Sequence, residues 1–326
     1  MAIKRAVKRT LEEEVVTLGV ALEEFLIEKE AHNKSPKTIA NYIQSIGYFL
    51  TFHKFDNDTP LNEITQSHFY KWTNSLKLDG AKPTTINHYV RDCRVFFYWC
   101  MDKDRKYMEE FKIRQIEGQE EQIKLFPDEE LEIILEKPER SNDKFTDWRN
   151  WVIVNWVLAT GNRCSTIVDV RIGDIDFRRR EITLHHTKNK KAQIAVLSSS
   201  LETVLKEYIK MWRDGGRDKD AWLFPNIGED KLTTGALQSS FAKYCTARGC
   251  THKNLHGLRH NFAKLWIKNN GDMYKLQKIL GHSSLDMTRR YVNMFSEDIK
   301  EDYDKFSPLD SIKRKQKRTQ AVKRAL

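Results

Sequence analysis

The sequence predicts a mainly α-helical protein with a small antiparallel β-sheet, organised as two domains. Its 326 residues are enough to bury two separate cores. Apolar residues recur at helical spacing along most of the chain, alternating strand patterns occur only in its middle, and one polar stretch interrupts the periodicity. We therefore expect a basic N-terminal arm at residues 1–14, a four-helix domain at 15–110, a linker at 111–125, an α+β domain at 126–306 and a basic tail at 307–326.

The composition favours a cytoplasmic protein without a membrane partner. Hydrophobic residues make up 40% of the chain, and no apolar run approaches the roughly 18 residues that a membrane helix needs. The first residues, MAIKRAVKRTLEEE, lack the apolar core of a signal peptide. Five scattered cysteines do not form a disulfide framework, and they fit a reducing compartment: Cys93, Cys100, Cys164, Cys245 and Cys250.

Positive charge is concentrated at the two ends of the chain. The net charge is +10, but residues 1–9 and 311–326 together hold eleven cations and no acid, which leaves the rest at −1. Basic ends commonly bind polyanions such as nucleic acid, and they also serve as solubilising tails. Charge alone therefore does not establish DNA binding by the folded body.

Four helices are expected in the first domain. The stretch VVTLGVALEEFLIEKEAH has helical period, and Ser35-Pro36 supplies an N-cap and a first-position proline for the second helix. A third helix is expected from Thr65 and a fourth from Pro83. The apolar stripe of the second helix comprises Ile39, Tyr42, Ile43, Ile46 and Phe49, and that of the fourth Ile86, Val90, Cys93 and Phe97.

The second domain is expected to open with a helix after Phe126-Pro127 and a long apolar helix through DWRNWVIVNWVLATG. Its tryptophans, Trp148, Trp151 and Trp156, have apolar neighbours and fit a core better than a base-stacking platform. A helix through IVDV and short strands at GDIDF, EITLHHT and AQIAVLS follow. The last two strands flank KNKK, so Lys188 falls at a hairpin tip. Helices through SLETVLKEYIKMWRD and TTGALQSSFAKYCTARG come next.

Residues 254–293 concentrate the side chains that could perform chemistry. His256 and Arg259 are about one helical turn apart, so both lie on one face and could grip an anion together. A glycine ends the next helix where a positive φ is usually needed, which holds His282 at the helix exit. Tyr291 stands in a further short helix beside two arginines.

This pattern resembles the tyrosine recombinases, which include phage integrases and Xer-type resolvases. The resemblance rests on His256-x-x-Arg259, on Leu280-Gly281-His282, on Tyr291 at the family's spacing and on the turn Thr160-Gly161-Asn162-Arg163 upstream. It implies an N-terminal helical core-binding (SAM-like) domain and an α+β catalytic domain. It also implies an enzyme that cleaves and rejoins DNA through a tyrosine, with no metal and no other cofactor.

The chemistry of phosphodiester transfer explains these residue types. Tyr291 is the candidate nucleophile, because a covalent intermediate divides one hard displacement into two easier ones. Arg163 and Arg259 fit a bidentate clamp, since a guanidinium is always charged and matches phosphate geometry. The remaining roles are implied by the resemblance: a general acid toward the leaving 5′ oxygen at Lys188, proton removal from the tyrosine at His256, and a hydrogen bond to the phosphate at His282.

The resemblance also implies partners. They are double-stranded DNA recombination sites, a homotetramer with a dimer on each site, and possible accessory factors that bend DNA or set directionality. A helix at residues 296–306 is expected to dock on a neighbouring subunit. Candidate DNA contacts, which as single residues could equally be solvated helix faces, are Lys37, Asn41, Lys82, Thr84, Thr85, Asn87 and Arg91.

Several alternatives stay open. The family usually has an acidic residue three positions after the first arginine, where this chain has Thr166, with Asp169 one turn further on. The hairpin also holds Lys190, although the spacing to AVL favours Lys188. The main functional alternative is a non-catalytic DNA-binding regulator on the same scaffold. Another is an Xer-like recombinase that resolves chromosomes instead of integrating or excising a mobile element.

A metal site is a weaker alternative. Cys245, Cys250, His256 and His260 form the spacing C-x4-C-x5-H-x3-H. The gap of five falls well short of the roughly twelve residues that separate the pairs in a zinc finger. No metal is therefore predicted, and His260 is interpreted as a structural residue.

Overall fold

The computed structural model describes residues 15–118, 124–139, 144–185, 193–281 and 291. The chain divides into two compact units, residues 1–121 and 122–326, and this boundary lies within the predicted linker. The predicted fold class is confirmed, because the described part is mainly helical with one small antiparallel sheet in the second unit. Among the described residues no helix is long and apolar enough to cross a membrane.

The first unit contains the four expected helices. At the start of the second, the Ser35 hydroxyl accepts a hydrogen bond from the Thr38 N–H at 3.1 Å, and Pro36 is the first helical residue, so the predicted cap is confirmed. The residue that caps its C-terminal end is Lys54, which has a φ of +58°. The helices are Leu18–Ala31 (α1), Pro36–His53 (α2), Gln66–Leu78 (α3) and Pro83–Cys100 (α4).

Aromatic rings fill the core of the first unit. Phe49 is fully buried, and its ring centroid lies 4.5–5.3 Å from those of Phe69, Trp72 and Phe97. All four positions expected on the buried face of α4 are buried, which confirms that prediction. The expectation for Ile43 was wrong, since it is 48% exposed. Helix α2 packs on α4 through Ser45, which lies about 200° around the α2 axis from Ile43.

The first half of the predicted linker packs on α4. Ile113 is buried, and its N–H donates to the Tyr98 hydroxyl at 3.0 Å. The Ile116 N–H donates to the Asn87 side-chain oxygen, and the Asn87 amide donates back to the Ile116 carbonyl, both at 2.9 Å. Two isoleucines thus anchor residues 111–118, the first part of the predicted linker, to the first unit.

The second unit surrounds the long apolar helix α6 with shorter helices and a three-stranded sheet. The sheet has the order β1-β2-β3, and Ile182 on its central strand pairs with Ile175 and Ala195. The elements are Asp128–Leu135 (α5), Phe145–Thr160 (α6), Cys164–Ile167 (α7), Ile175–Asp176 (β1), Glu181–Leu184 (β2), Gln193–Val196 (β3), Ser199–Trp212 (α8), Thr234–Ala247 (α9), Leu255–Lys268 (α10) and Met273–Leu280 (α11).

Most of the expected elements are therefore present, with some differences in length. The predicted strands are confirmed but are shorter than their sequence patterns, and the helix expected through IVDV already ends at Ile167. The core assignment of the tryptophans is confirmed, since Trp148 and Trp156 are fully buried and Trp151 is nearly so. The Trp156 indole donates to the Asn162 side-chain oxygen at 3.0 Å, which ties α6 to the turn after it.

A carboxylate on α5 secures the chain just before α10. Glu130 accepts hydrogen bonds from the Thr251 N–H at 3.0 Å and hydroxyl at 2.6 Å, and from the His252 N–H and ring Nδ1, both at 3.1 Å. Burial acts to raise the pKa of this carboxyl, but the hydrogen bonds from Thr251 and His252 outweigh it and lower the pKa from 4.5 to about 2.

This carboxylate is expected to make the second unit acid-sensitive. Because its pKa is lower in the folded state, its stabilisation is fully present above pH 4.5 and is lost as the pH falls from 4.5 towards 2. Glu130→Gln should therefore lower the free energy of unfolding at neutral pH and remove this pH dependence, as measured by denaturant unfolding at several pH values. The exposed neighbour Glu129 supplies the control, since Glu129→Gln should lower the free energy of unfolding by no more than about 1 kcal/mol, through the helix dipole, and should leave the pH dependence in place.

Candidate active site

Helix α10 carries three of the side chains that form the site. Its first turn is capped by Asn254, whose side-chain oxygen accepts from the His256 N–H at 2.9 Å. The orientation of α10 about its own axis is set by buried Asn261. Its side chain accepts from the Phe126 N–H at 2.9 Å and donates to the Phe126 carbonyl at 2.8 Å. The positions of His256, Arg259 and His260 are thereby defined.

The Arg259 guanidinium binds the ends of two other helices. Its Nη1 donates to the Gly161 carbonyl at 2.6 Å and its Nη2 to the Leu280 carbonyl at 2.8 Å. Gly161 and Gly281 are the left-handed C-caps of α6 and α11, with φ of +63° and +59°. The carbonyl ends of helices are partially negative, so a cation is stabilised there. Burial, with a further contribution from Arg163, lowers the pKa of Arg259 to about 10.

Arg163 is placed differently from Arg259. It follows the same turn, is half-buried, and its guanidinium makes no hydrogen bond or ion pair within the described ranges. A side chain on Gly281 would come within 3.9 Å of its Nη1, so Arg163 lies beside the end of α11. Burial lowers the pKa of Arg163, whereas Tyr291 opposes this shift. Among the described residues, no group competes with an anionic ligand for this guanidinium.

Tyr291 is buried beside these cations. Only 4% of its surface is exposed, and it belongs to an apolar cluster with Phe262, Ala263, Leu276 and Leu280. Burial raises the pKa of the phenol, while Arg259 and Arg163 act to lower it. At neutral pH the phenol is protonated, so nucleophilic attack requires a group that accepts its proton.

A histidine contacts the Tyr291 hydroxyl, and it is His260. Its Nδ1 lies 2.7 Å from the Tyr291 hydroxyl oxygen. Part of His256, the residue expected to remove this proton, is exposed, and its ring contacts the His260 ring with centroids 4.5 Å apart. Desolvation, then Arg259 and Arg163, lower the pKa of His256. The contact between His260 and Tyr291 was not predicted, although the position of His260 one turn after His256 was a usable signal, since it places both rings on one face.

Two predicted catalytic residues, Lys188 and His282, lie outside the described residues, as do Lys190 and the helix expected at 296–306. The described residues next to these two positions are nevertheless hydrogen-bonded to each other. The Gln193 side chain at the start of β3 donates to the carbonyls of Lys278 and Ile279 at 3.0 and 3.2 Å. This contact connects the hairpin to the end of α11.

Asp169 does not take the place of the acidic residue that the family usually has at position 166. The Thr166 side chain is buried, and Asp169 forms an ion pair with Lys231. Within the parts of the chain that the structure describes, no carboxylate forms an ion pair with Arg163. Arg259, in turn, is held by backbone carbonyls.

The zinc-like spacing does not assemble a site. Cys245 and Cys250 are buried in the core of the second unit, where burial raises the pKa of both thiols. Of the residues described, no three His, Cys, Asp or Glu side chains are grouped so as to hold a metal ion.

The candidate DNA contacts of the first unit have varied surroundings. Lys37, Lys82, Thr84, Thr85 and Arg91 are exposed, and Asn41 is half-buried. Arg91 lies against His88 and Asp92, at 2.8 and 3.3 Å. The Asn87 side chain is engaged by the backbone of Ile116, so its amide is less accessible to DNA than the other candidates.

The turn at Gly161 is expected to tolerate no side chain. A Cβ there would lie 2.5 Å from Phe262 and 2.8 Å from Leu280, in a backbone conformation with φ of +63°. Gly161→Ala should destabilise the second unit by about 2–4 kcal/mol through strain and overpacking, and should slow DNA cleavage by about 100-fold because the carbonyl that binds Arg259 shifts. Thermal unfolding and single-turnover cleavage measure both effects.

A matched control is available on α9. A Cβ atom at Gly235 would meet open space, and the residue has no positive φ, so Gly235→Ala should leave the cleavage rate unchanged and should not lower the unfolding temperature, because alanine is favoured over glycine in a helix. If Gly161→Ala behaved like Gly235→Ala, the described packing of the turn would be wrong.

The described site thus joins a buried phenol, two guanidinium groups and two histidines, which is a set suited to phosphoryl transfer. Comparison with known proteins agrees with this chemistry. Residues 124–297 match the Phage integrase family, and residues 22–109 match its N-terminal SAM-like domain. The chain belongs to the phage integrase family of tyrosine recombinases, enzymes that break and rejoin DNA strands at specific sites.

Individual relatives span most of the chain. It is 25% identical over 286 residues to the tyrosine recombinase XerC of Listeria welshimeri, covering 85% of this chain and 93% of the relative. A lambda integrase tetramer bound to a Holliday junction aligns with a TM-score of 0.66 at 18% identity, over 87% of this chain and 82% of that one. The Tn1549 transposon integrase in complex with transposon right end DNA aligns with a TM-score of 0.67 at 17% identity, over 87% and 99%.

Proposed function

We propose that the protein is an integrase that recombines DNA through a 3′-phosphotyrosine intermediate, for the integration and excision of a mobile element. The observation that carries the proposal is the arrangement of Arg163, Arg259 and Tyr291. These residues come from three separate segments, and burial raises the pKa of the phenol while both cations oppose that rise.

The proposed reaction begins with attack of the Tyr291 oxygen on a DNA phosphate. A bond forms between that oxygen and phosphorus, and the bond from phosphorus to the 5′ oxygen breaks, leaving a free 5′ hydroxyl. Negative charge in the transition state spreads over the non-bridging oxygens, where fixed cations are most effective. Among the described residues the Arg163 guanidinium has no hydrogen bond or ion pair, which supports a role in binding these oxygens. Lys188 is proposed to protonate the leaving oxygen, and His282 to donate to the phosphate.

We also propose that the protein acts as a dimer on each recombination site and a tetramer during strand exchange. The lambda integrase tetramer on a Holliday junction supports this assembly by likeness of fold. The exposed side chains of Lys37, Lys82 and Arg91 are proposed to bind DNA phosphates through the first unit. Accessory factors that bend DNA or set directionality are proposed as further partners.

Two other functions differ in their predicted products. An Xer-like resolvase is favoured by the relatives named XerC, and it would act at a single chromosomal sequence. A non-catalytic regulator is favoured by Thr166 at the usual acidic position, and it would bind DNA without any covalent product. Whether DNA becomes covalently attached, and which sequence it has, therefore distinguishes the three functions.

The test is covalent capture from genomic DNA. Purified protein is incubated with genomic DNA of the source organism, denatured, and recovered under conditions that remove non-covalently bound DNA, and the attached strands are sequenced. An integrase should yield 3′-linked ends at the borders of a mobile element. Capture at one chromosomal locus without such borders would indicate a resolvase, and the absence of any attached DNA would contradict a catalytic role.

A further inference from the structure

The Tyr291 hydroxyl makes a short polar contact with a histidine outside the recognised motif. We propose that His260 is a catalytic residue that accepts the proton of the Tyr291 phenol during DNA cleavage and returns it during rejoining. This inference rests on the proposed function, since it assigns the proton in the same reaction. The observation behind it is the 2.7 Å distance between His260 Nδ1 and the Tyr291 oxygen.

The contact requires one proton between the two atoms. In the ground state the phenol donates to an unprotonated Nδ1, which places the other imidazole proton on Nε2. Moving the shared proton to Nδ1 produces an imidazolium and a phenolate without any change in the position of the heavy atoms. The distance already lies within the range that proton transfer to a general base requires.

Burial makes such an acceptor necessary. Tyr291 is 4% exposed, so bulk water has little access to the phenol. His256 lies on the same face of α10 but one turn away; part of the residue is exposed, and its ring contacts that of His260. It is therefore better placed to meet a bound phosphate than to take the phenol proton.

The groups around the pair affect this transfer in opposite directions. Arg259 and His256 on α10, and Arg163 on the facing turn, are the charged or titratable neighbours, and Lys264 lies one turn along α10 from His260. Cations favour the phenolate and oppose the imidazolium. A bound phosphate, which is anionic, reverses the second effect, so transfer is expected to accompany attack on DNA and not to precede it.

Every bond and proton in this step is accounted for. The oxygen of Tyr291 forms a bond to phosphorus while its proton passes to Nδ1 of His260, and the bond from phosphorus to the 5′ oxygen breaks as that oxygen receives a proton from the general acid. In rejoining, the 5′ hydroxyl attacks phosphorus and gives its proton back to the general acid, the bond from phosphorus to the Tyr291 oxygen breaks, and His260 returns its proton to the departing phenolate. The transfer uses no oxidant or reductant.

The experiment uses two substitutions and two substrates. His260→Asn keeps an acceptor atom close to the position of Nδ1 but cannot take up the proton, whereas His260→Ala removes the acceptor. Each variant is assayed in single turnover for formation of the covalent adduct, on a suicide substrate with an ordinary phosphodiester and on one with sulfur at the bridging 5′ position. Sulfur leaves without protonation, so it rescues defects in the general acid but not in activation of the nucleophile.

We expect His260→Asn to slow adduct formation by about 10²–10⁴-fold on both substrates, and to flatten the rise of the rate with pH on the sulfur substrate. Lys188→Ala should be rescued by sulfur, which provides the contrasting variant. His32→Asn, at an exposed site of the first unit, controls for the substitution itself. Thermal unfolding and DNA binding verify that the variants are folded.

Two results would overturn the inference. If His260→Asn retained the wild-type rate and pH profile while His260→Ala did not, His260 would only position the phenol. If sulfur rescued His260→Asn, the residue would serve the leaving group. Failure of the proposed function is distinguishable from both, because the wild-type protein would then form no adduct on either substrate.

Discussion

Tyr291→Phe is expected to bind DNA as tightly as the wild-type protein and to form no detectable covalent adduct. The substitution removes only the hydroxyl, while the ring stays in its cluster with Phe262, Leu276 and Leu280. The hydrogen bond to His260 that is lost contributes about 1 kcal/mol, so the fold should persist. The measurement is adduct formation on a nicked suicide substrate, together with binding by mobility shift and thermal unfolding.

Tyr274 supplies a matched control for this substitution. It is 66% exposed on α11, in the same unit. Tyr274→Phe should form adduct at the wild-type rate, and peptide mapping of the wild-type adduct should place the DNA on the peptide that contains Tyr291. An adduct formed by Tyr291→Phe would assign the nucleophile to another tyrosine, of which Tyr303 is the nearest after it in sequence.

The parts of the fold that could be predicted from the sequence are those determined by local interactions. The cap at Ser35 depends on a hydroxyl and an N–H three residues apart, and the helix stop at Gly281 depends on one residue's freedom to adopt a positive φ. The buried face of α4 follows from helical spacing alone. Each of these signals lies within a few residues, so sequence periodicity is sufficient to detect it.

The remaining features depend on contacts between distant segments. Nothing in the local pattern around Ile43 indicates which side of α2 faces α4, so its exposure was not predicted. The two carbonyl partners of Arg259 are 98 and 21 residues away in the chain, and the Tyr291 partner of His260 is 31 residues away. Residue type and motif spacing identified the candidate side chains, but only the fold reveals which atoms they contact.

These contacts give the two arginines different physical roles. Arg259 lies at the meeting point of α6, α10 and α11, so its charge organises the site before any ligand binds. Arg163 has no such engagement among the described residues, so its charge is available to the phosphate. In the proposed mechanism, Arg259 thus combines structural and electrostatic functions, and Arg163 mainly binds the transition state.

Arg163→Ala and Arg259→Ala are therefore expected to reduce cleavage alike and stability unequally. Loss of either cation should slow adduct formation by about 10³-fold or more. Arg259→Ala leaves the carbonyls of Gly161 and Leu280 buried without this donor, which should lower the free energy of unfolding by about 2–5 kcal/mol. Arg163→Ala breaks no described hydrogen bond and should change it by less than about 0.5 kcal/mol.

Denaturant unfolding and single-turnover cleavage of the same preparations separate the two effects. Lysine variants refine the comparison, because lysine keeps the charge but cannot donate to two carbonyls in divergent directions. Arg259→Lys should therefore remain destabilised, whereas Arg163→Lys should be as stable as the wild type and retain part of the cleavage rate. Equal losses of stability at both positions would mean that Arg163 is also engaged within the folded protein, and its assignment as the phosphate ligand would then fail.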